Sequence, residues 1–183
     1  MGSGYGIRCK TCDYKFSVTI GHGMLECGFL ENDYATDKAM FYNRIYDEKV
    51  IADIEKLKLA YGKSLNECGC VDENEWRGHG RSPYLCPNCS TMHTCYYFML
   101  KYPGGKYEPR YACPVCGSNL IRIKIKIQGH EDVDIDLYTW SKADNDTIMS
   151  LVDAYGEPVT WRCPCCNGSQ IIYDNDAGCF DFD

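Results

Sequence analysis

The sequence predicts an α+β protein built from β-rich zinc-ribbon hairpins, with a two-helix insertion and one short C-terminal helix. Three observations lead to this class. The chain of 183 residues contains 14 cysteines, and eight of them form four C-x-x-C pairs. Alternating apolar residues beside these pairs indicate strands, and apolar residues spaced by three and four indicate helices between them. We therefore expect a single zinc-binding unit over residues 1–183.

The four C-x-x-C pairs, called knuckles below, predict metal binding. They are Cys9/Cys12, Cys86/Cys89, Cys113/Cys116 and Cys163/Cys166. Two such pairs supply the four thiolates of a tetrahedral site, so four pairs predict two ions per chain. Ligation by sulfur alone favours zinc, with iron as the alternative.

The residues around each knuckle follow a common pattern. The residue after the second cysteine is expected to adopt a left-handed conformation, which Gly, Asn and Asp tolerate best and Ser least. These residues are Asp13, Ser90, Gly117 and Asn167. A large apolar residue two positions before the first cysteine is expected to shield the thiolates from water. These residues are Ile7, Tyr84, Tyr111 and Trp161.

Three pairings of the knuckles are compatible with the spacing. The nested pairing, which we favour, joins the second knuckle with the third and the first with the fourth. The sequential pairing joins the first with the second and the third with the fourth, and the crossed pairing is the remaining one. The preference is small because loop closure favours short separations only weakly. Cys165 competes with Cys166, whose two-residue gap from Cys163 matches the other knuckles.

Five segments are expected within the unit. They are an N-terminal knuckle over 1–30, a helical insertion over 31–65, a loop over 66–83, a central zinc ribbon over 84–127 and an acidic C-terminal part over 128–183 that carries the fourth knuckle. The insertion is predicted to form two helices with a break near Asp47. The short C-terminal helix is predicted over 144–155, where Ile148, Leu151 and Val152 form an apolar side.

A charged hairpin is predicted after the third knuckle. Arg122, Lys124 and Lys126 alternate with isoleucines, and after Gly129 three aspartates alternate with apolar residues. Residues 120–127 and 131–138 are therefore expected to pair antiparallel, with the isoleucines buried and basic residues opposite acidic ones. Lys126 would then lie opposite Asp132 or Asp134.

The remaining cysteines, histidines and tyrosines have mainly structural interpretations. Cys27, Cys95 and Cys179 are expected to be small buried groups, and Cys68 and Cys70 to lie in the loop. His22 and His79 each stand between glycines, which also permits a site, and His93 and His130 are expected to be structural. The tyrosines Tyr96, Tyr97, Tyr102, Tyr107 and Tyr111 are expected to pack the ribbon rather than to stack on bases.

The charge and the N-terminus bear on partners and compartment. The net charge is −7, which argues against a protein whose main ligand is a nucleic-acid backbone. Residues 75–126 nevertheless carry eight basic side chains and two acidic ones. The N-terminus lacks the pattern of a signal sequence and no segment is long and apolar enough to span a membrane. C-x-x-C pairs in such a chain indicate a reducing, cytoplasmic location rather than disulfides.

The N-terminal stretch resembles a group of bacterial proteins. Residues 9–16, CKTCDYKF, and 21–24, GHGM, are similar to the C-x-x-C-G-Y-x-F knuckle and G-x-G segment with which these uncharacterised bacterial proteins begin. A helical insertion and two further rubredoxin-like knuckles follow in that group, so the resemblance covers residues 5–125. Asp13 stands where the group has Gly, and residues 127–183 resemble an addition. The resemblance implies zinc ribbons and a bacterial cytoplasm, and it implies no activity.

These observations predict a non-enzymatic zinc-binding protein with structural four-cysteine sites. Such sites are closed to substrates, so we expect a protein-interaction or regulatory module with a protein partner. A nucleic-acid-binding zinc ribbon is the first alternative. The second alternative is an enzyme with a site near His22, His79, Cys68 and Cys70. A zinc deaminase is not expected because its His-x-Glu and P-C-x-x-C combination is absent from the sequence.

Overall fold

A computed structural model describes residues 2–21, 47–64, 66–67, 79–128, 143, 146–174 and 180–182. One α-helix and eleven strands occur in these ranges. In chain order they are β1 Gly2–Cys9, β2 Lys15–Ile20, α1 Glu48–Tyr61, β3 Asn66–Glu67, β4 His79–Leu85, β5 Met92–Phe98, β6 Leu100–Tyr102, β7 Gly105–Tyr107, β8 Ile121–Ile127, β9 Ile148–Asp153, β10 Ile171–Tyr173 and β11 Phe180–Phe182. A turn of 3₁₀ helix, Gly62–Ser64, follows α1.

The main sheet is antiparallel and nearly closed into a barrel. Its strand order is β11-β1-β10-β9-β8-β4-β5, and β2 pairs with β1 outside this path. The end of β2 then reaches β4, where Gly21 and Arg81 exchange two backbone hydrogen bonds of 2.9 and 2.6 Å. Gly80 permits this approach, because a Cβ there would lie 2.8 Å from the carbonyl oxygen of Gly21. The first strand, β1, lies between the last two, β10 and β11, so the two ends of the chain belong to one sheet.

The apolar core of this barrel is formed by residues of β1, β2, β4, β8, β9 and β10, together with Trp161 and Cys163. On β8, Ile123, Ile125 and Ile127 are buried while the basic residues between them are only partly buried. This confirms the predicted alternation of the strand. β8 pairs with β9 through residues 123–127 and with β4 through residues 121 and 122. The predicted partner arm, 131–138, lies outside the described residues, so the charged hairpin stays a prediction.

A second apolar cluster forms beside the barrel. The helix α1 buries Val50 and Ile54 against a group that includes Phe98 and Leu100, near a small sheet of order β3-β6-β7. The helix begins after Asp47, whose carboxylate accepts hydrogen bonds from the backbone of Lys49 and Val50 at 3.0 and 3.1 Å. Within the described part of the chain, no helix has the length and apolar character needed to cross a membrane.

The predicted fold class is wrong. The described residues form a β-rich, barrel-like sheet with one α-helix, not an α+β protein with a two-helix insertion and a C-terminal helix. Residues assigned to the C-terminal helix contain β9, which lies between β8 and β10 and buries Met149 and Leu151. Sheet pairing on both edges therefore outweighs the local helical spacing. Residues assigned to the first helix of the insertion, before Asp47, lie outside the described residues.

An ion pair between an exposed lysine and a buried aspartate links β2 to the end of β10. The side chain of Asp174 is 1% exposed and its carboxylate lies 2.9 Å from Nζ of Lys15, on the first residue of β2. The backbone N–H of Asp174 also donates to the carbonyl of Gly6 on β1. A carboxylate buried in this way loses much of its hydration and depends on its partners inside the protein.

We expect Lys15→Met to lower the free energy of unfolding by about 2 kcal/mol, because it leaves a buried carboxylate with one charged partner fewer. Arg8→Met is the matched control, since it removes the exposed Arg8–Asp146 ion pair at 2.6 Å. That change should cost less than about 1 kcal/mol. Urea unfolding of the metal-loaded protein measures both values. Equal losses in the two variants would contradict the assigned role of Asp174.

Candidate metal centres

The first thiol cluster joins the two ends of the sequence. Cys9 ends β1 and Cys12 lies in the loop before β2, while Cys163 and Cys166 lie between β9 and β10. The Sγ atoms of Cys9 and Cys166 are 3.6 Å apart, and those of Cys12 and Cys163 are 3.5 Å apart. All four ligand atoms lie within 4.8 Å of one another. Pairing of β1 with β10 brings these knuckles together.

The second thiol cluster is local in sequence. Cys86 and Cys89 form the turn between β4 and β5, and Cys113 and Cys116 form the turn that precedes β8. The Sγ atoms of Cys86 and Cys116 are 3.4 Å apart, and those of Cys89 and Cys113 are 3.6 Å apart. These four atoms also lie within 4.8 Å of one another. The structure therefore groups the eight cysteines in the nested arrangement.

The sulfur spacing fits a metal tetrahedron. Four sulfurs at a zinc–sulfur distance of about 2.3 Å are about 3.8 Å from each other, close to the distances found here. A disulfide would require about 2.05 Å. All eight thiols are free. Two four-cysteine clusters that could hold metal ions are thus present, and their role as ligands stays a prediction.

The backbone of the knuckles positions the sulfurs. In the second, third and fourth knuckles, the N–H of the residue after the second cysteine donates to the carbonyl of the first cysteine at 2.8 to 2.9 Å. Those residues, Ser90, Gly117 and Asn167, have φ of 58°, 75° and 64°. The left-handed prediction is correct for these three. It is wrong for Asp13, which does not have a positive φ.

Amide groups also point at the sulfurs. The N–H of Thr11 lies 3.4 Å from Sγ of Cys9, that of Cys89 lies 3.5 Å from Sγ of Cys86, and that of Gly168 lies 3.4 Å from Sγ of Cys166. A divalent ion with four thiolates carries a net charge of about −2, which such donors offset. The donor set therefore suits a closed metal–thiolate site.

The predicted apolar shields are buried beside both clusters. Ile7 and Trp161 belong to the same apolar group as Cys9 and Cys163, and Tyr84 and Tyr111 to that of Cys86 and Cys113. The two tyrosine rings meet edge to face with centroids 5.4 Å apart. The indole N–H of Trp161 donates to the carbonyl of Ser90 at 3.1 Å, so the fourth knuckle is connected to the second.

The thiols of the first cluster do not ionise alike. Burial opposes ionisation of Cys9, but hydrogen bonds from the backbone of Thr11 and Cys12 and from neighbouring thiols lower its pKa to about 7. Cys12 receives a backbone hydrogen bond from Tyr14. Burial and the other three thiols nevertheless raise its pKa to about 12. Four thiolates therefore require a cation to coexist here.

The second cluster has additional side-chain donors. Hydrogen bonds from the side chains of Ser118 and Asn88 lower the pKa of Cys116 to about 5. Burial raises the pKa of Cys86 to about 11. Burial also opposes ionisation of Cys113, yet a hydrogen bond from the Thr91 side chain and others from backbone amides lower its pKa. More of the thiolate charge is thus compensated by side chains in this cluster than in the first.

Thr91 and His93 are neighbours of the second cluster that the sequence interpretation missed. The hydroxyl of Thr91 lies 3.0 Å from Sγ of Cys89 and 2.9 Å from Nε2 of His93. The same ring nitrogen is 3.6 Å from Sγ of Cys113. Burial lowers the pKa of His93 and thereby favours the neutral imidazole. Their positions two and four residues after Cys89, at the start of a segment with strand-like alternation, were the available signal.

The other candidate residues do not join these clusters. Cys165 is exposed, and Cys166 occupies the cluster position instead. Cys95 is partly buried and burial raises its pKa to about 12. Tyr96 and Tyr111 pack in the apolar core as expected, and Tyr61 stacks on Tyr102 with centroids 4.6 Å apart. His79 is the first residue of β4, and the structure describes only its backbone. Cys27, Cys68, Cys70, Cys179, His22 and His130 lie outside the described residues.

Comparisons of the chain with protein-family models, with curated proteins and with solved structures find no match.

The left-handed positions offer a matched pair of substitutions. Ser90→Gly should raise the free energy of unfolding by about 1 kcal/mol, because it removes the cost of a side chain at positive φ. Its carbonyl can still accept from Trp161. Gly117→Ser should lower the free energy by a similar amount, through the backbone alone, since a Cβ at Gly117 has no atom within 4 Å. Denaturant unfolding tests both, and shifts of the same sign would refute this account of the knuckles.

Proposed function

We propose that the protein is a non-enzymatic zinc-binding protein whose two four-cysteine clusters each hold one structural ion. The observation that carries this proposal is the grouping of eight thiols into two sets with ligand atoms within 4.8 Å. Four thiolates complete a tetrahedral shell and leave no position for a substrate. When bound, the ion supplies charge neutralisation and folding free energy.

The residues of each cluster would hold different parts of the chain. Cys9 and Cys12 would tie the β1–β2 loop to Cys163 and Cys166, next to the pairing of β1 with β10. The second and third knuckles would tie the β4–β5 turn to the start of β8. Both connections link segments that are already neighbours in the sheet, which supports a structural role.

The position of the knuckles also argues against a role in thiol redox catalysis. Oxidoreductase C-x-x-C pairs stand at a helix N-terminus, where the helix dipole lowers a thiol pKa. Here the knuckles stand at turns beside β1, β4, β8 and β10.

We further propose a bacterial cytoplasmic module that binds a protein partner. Affinity capture from the native host that recovers no reproducible partner would contradict that part.

Elemental analysis of protein purified without added metal is the direct test. We expect two zinc ions per chain, one for each cluster of four thiols. Cys9→Ser and Cys116→Ser should each reduce the content to one, because each variant breaks a different cluster. Iron in place of zinc would correct the metal identity. Fewer than one ion per chain in the wild type would reject the proposal.

Hydrogen exchange on the same two variants tests what each ion holds. Cys9→Ser should reduce protection over residues 5–20 and 158–173 together, since one ion joins both. Cys116→Ser is the control and should reduce protection over residues 84–120 instead. Loss near Cys9 and Cys86 with the Cys163 region still protected would favour the sequential pairing.

Acidification should release the two ions in separate steps, from the first cluster before the second. Ligands must be thiolates, and a lowered pKa keeps a thiolate ionised to lower pH. The lowest thiol pKa is about 7 in the first cluster, at Cys9, and about 5 in the second, at Cys116. A chromogenic chelator follows release between pH 8 and pH 4, with each cysteine variant assigning one step. Release from the second cluster first would contradict the assignment.

A further inference from the structure

A cleft with cationic and aromatic walls lies between β8, residues 106–110 and the turn that follows β9. Its volume is about 640 Å³. This lies within the range of about 300 to 1,000 Å³ that is usual for small-molecule sites. None of the eight cluster cysteines lines it. The structural ions proposed above therefore leave the cleft without an assigned role.

The charges of the cleft favour an anion. Lys106, Arg110, Arg122 and Lys124 line it, against the carboxylates of Glu108 and Asp153. Both carboxylates have local partners. Glu108 lies 3.0 Å from Nζ of Lys106, and Asp153 accepts from the backbone N–H groups of Tyr155 and Glu157 at 2.8 and 3.0 Å. Neither Arg110 nor Arg122 takes part in these contacts.

The side chain of Arg122 is held in place by two contacts. Its guanidinium carbon lies 3.5 Å from the ring centroid of Tyr97, and its Nε donates to the hydroxyl of Ser82 at 3.0 Å. Among the described residues, its terminal nitrogens have no hydrogen-bond partner, and Arg110 is exposed. A guanidinium fixed by stacking has less side-chain entropy to lose when it binds a planar or tetrahedral anion.

An exposed aromatic ring borders the same cleft. Tyr155 is 91% exposed and stands in the turn that Asp153 stabilises. A large ring left in water on a stabilised turn offers a face on which another flat ring can stack. Phosphate-binding arginines beside a free aromatic ring are the combination by which proteins hold nucleotide units.

We propose that this cleft binds a nucleotide unit, with its phosphate at Arg110 and Arg122 and its base on Tyr155. The unit comes either as a free nucleotide or as part of a single strand. An acidic peptide would use the cations and gain little from the ring. The proposal extends the function beyond structural metal binding, and it shows that a chain with a net charge of −7 can still have a cationic cleft.

Fluorescence anisotropy of the full, zinc-loaded chain tests the proposal. The probe is a short fluorescein-labelled single-stranded oligonucleotide, and uridine monophosphate, adenosine monophosphate and polyglutamate serve as competitors. Arg110→Ala, Arg122→Lys and Tyr155→Ala should each raise Kd by about tenfold. Lys56→Ala and Leu59→Ala on α1 are the controls, because they remove an exposed cation and an exposed apolar residue that do not line the cleft. They should change Kd less than about twofold.

The outcomes separate the two sources of the unit. Affinity that rises with strand length and falls with salt identifies a single strand, and mononucleotides that bind as tightly as the strand identify a free nucleotide. Metal content and circular dichroism of each variant show that it is folded. Absence of binding, equal competition by polyglutamate, an unaffected Tyr155→Ala, or equal loss in Lys56→Ala would overturn the proposal.

Discussion

The grouping of four thiols into each cluster is the constraint on which this structure depends. Four sulfurs within 4.8 Å cannot all carry charge unless a cation sits between them. Burial increases the cost of charging the sulfurs. The most enclosed of them are Cys9, Cys86, Cys113 and Cys163. Each cluster lies at the edge of an apolar group that includes its own cysteines. A cation bound by either cluster would therefore hold side chains that belong to the apolar core.

The two apolar groups are joined by the sheet rather than by a common core. Leu85 packs with the barrel group, while Tyr84 beside it and Cys86 after it pack with the other group. The alternation of β4 thus sends successive side chains to different interiors. Trp161 adds a second connection through its bond to the carbonyl of Ser90. Both apolar groups therefore have β4 as a common boundary.

The sequence was most informative where chemistry is local. Knuckle spacing and the alternation of Ile123, Ile125 and Ile127 depend on neighbouring residues, and the structure has both features. Long-range pairing decided the rest. The apolar residues at 148, 151 and 152 fit a helix, but β8 and β10 each offer β9 an edge, and Met149 and Leu151 fill the barrel. Likewise, three knuckle pairings were compatible with the spacing and loop closure favoured the nested one only weakly, whereas the pairing of β1 with β10 selects it. Asp13 is a further example: its position after the second cysteine suggested a left-handed conformation, but its φ is not positive.

The second cluster and the cleft share a residue, Tyr84. Its ring meets Tyr111 edge to face beside Cys86 and Cys113, and it also lines the cleft. On the sheet, Tyr84 pairs with Arg122 in register. Movement of the knuckle that Tyr84 precedes would therefore shift the strand from which Arg122 reaches over Tyr97. An ion that fixes the second and third knuckles would hold this register and keep the guanidinium in place. With the functions proposed above, the closed metal site would thus support the binding cleft without contacting its ligand.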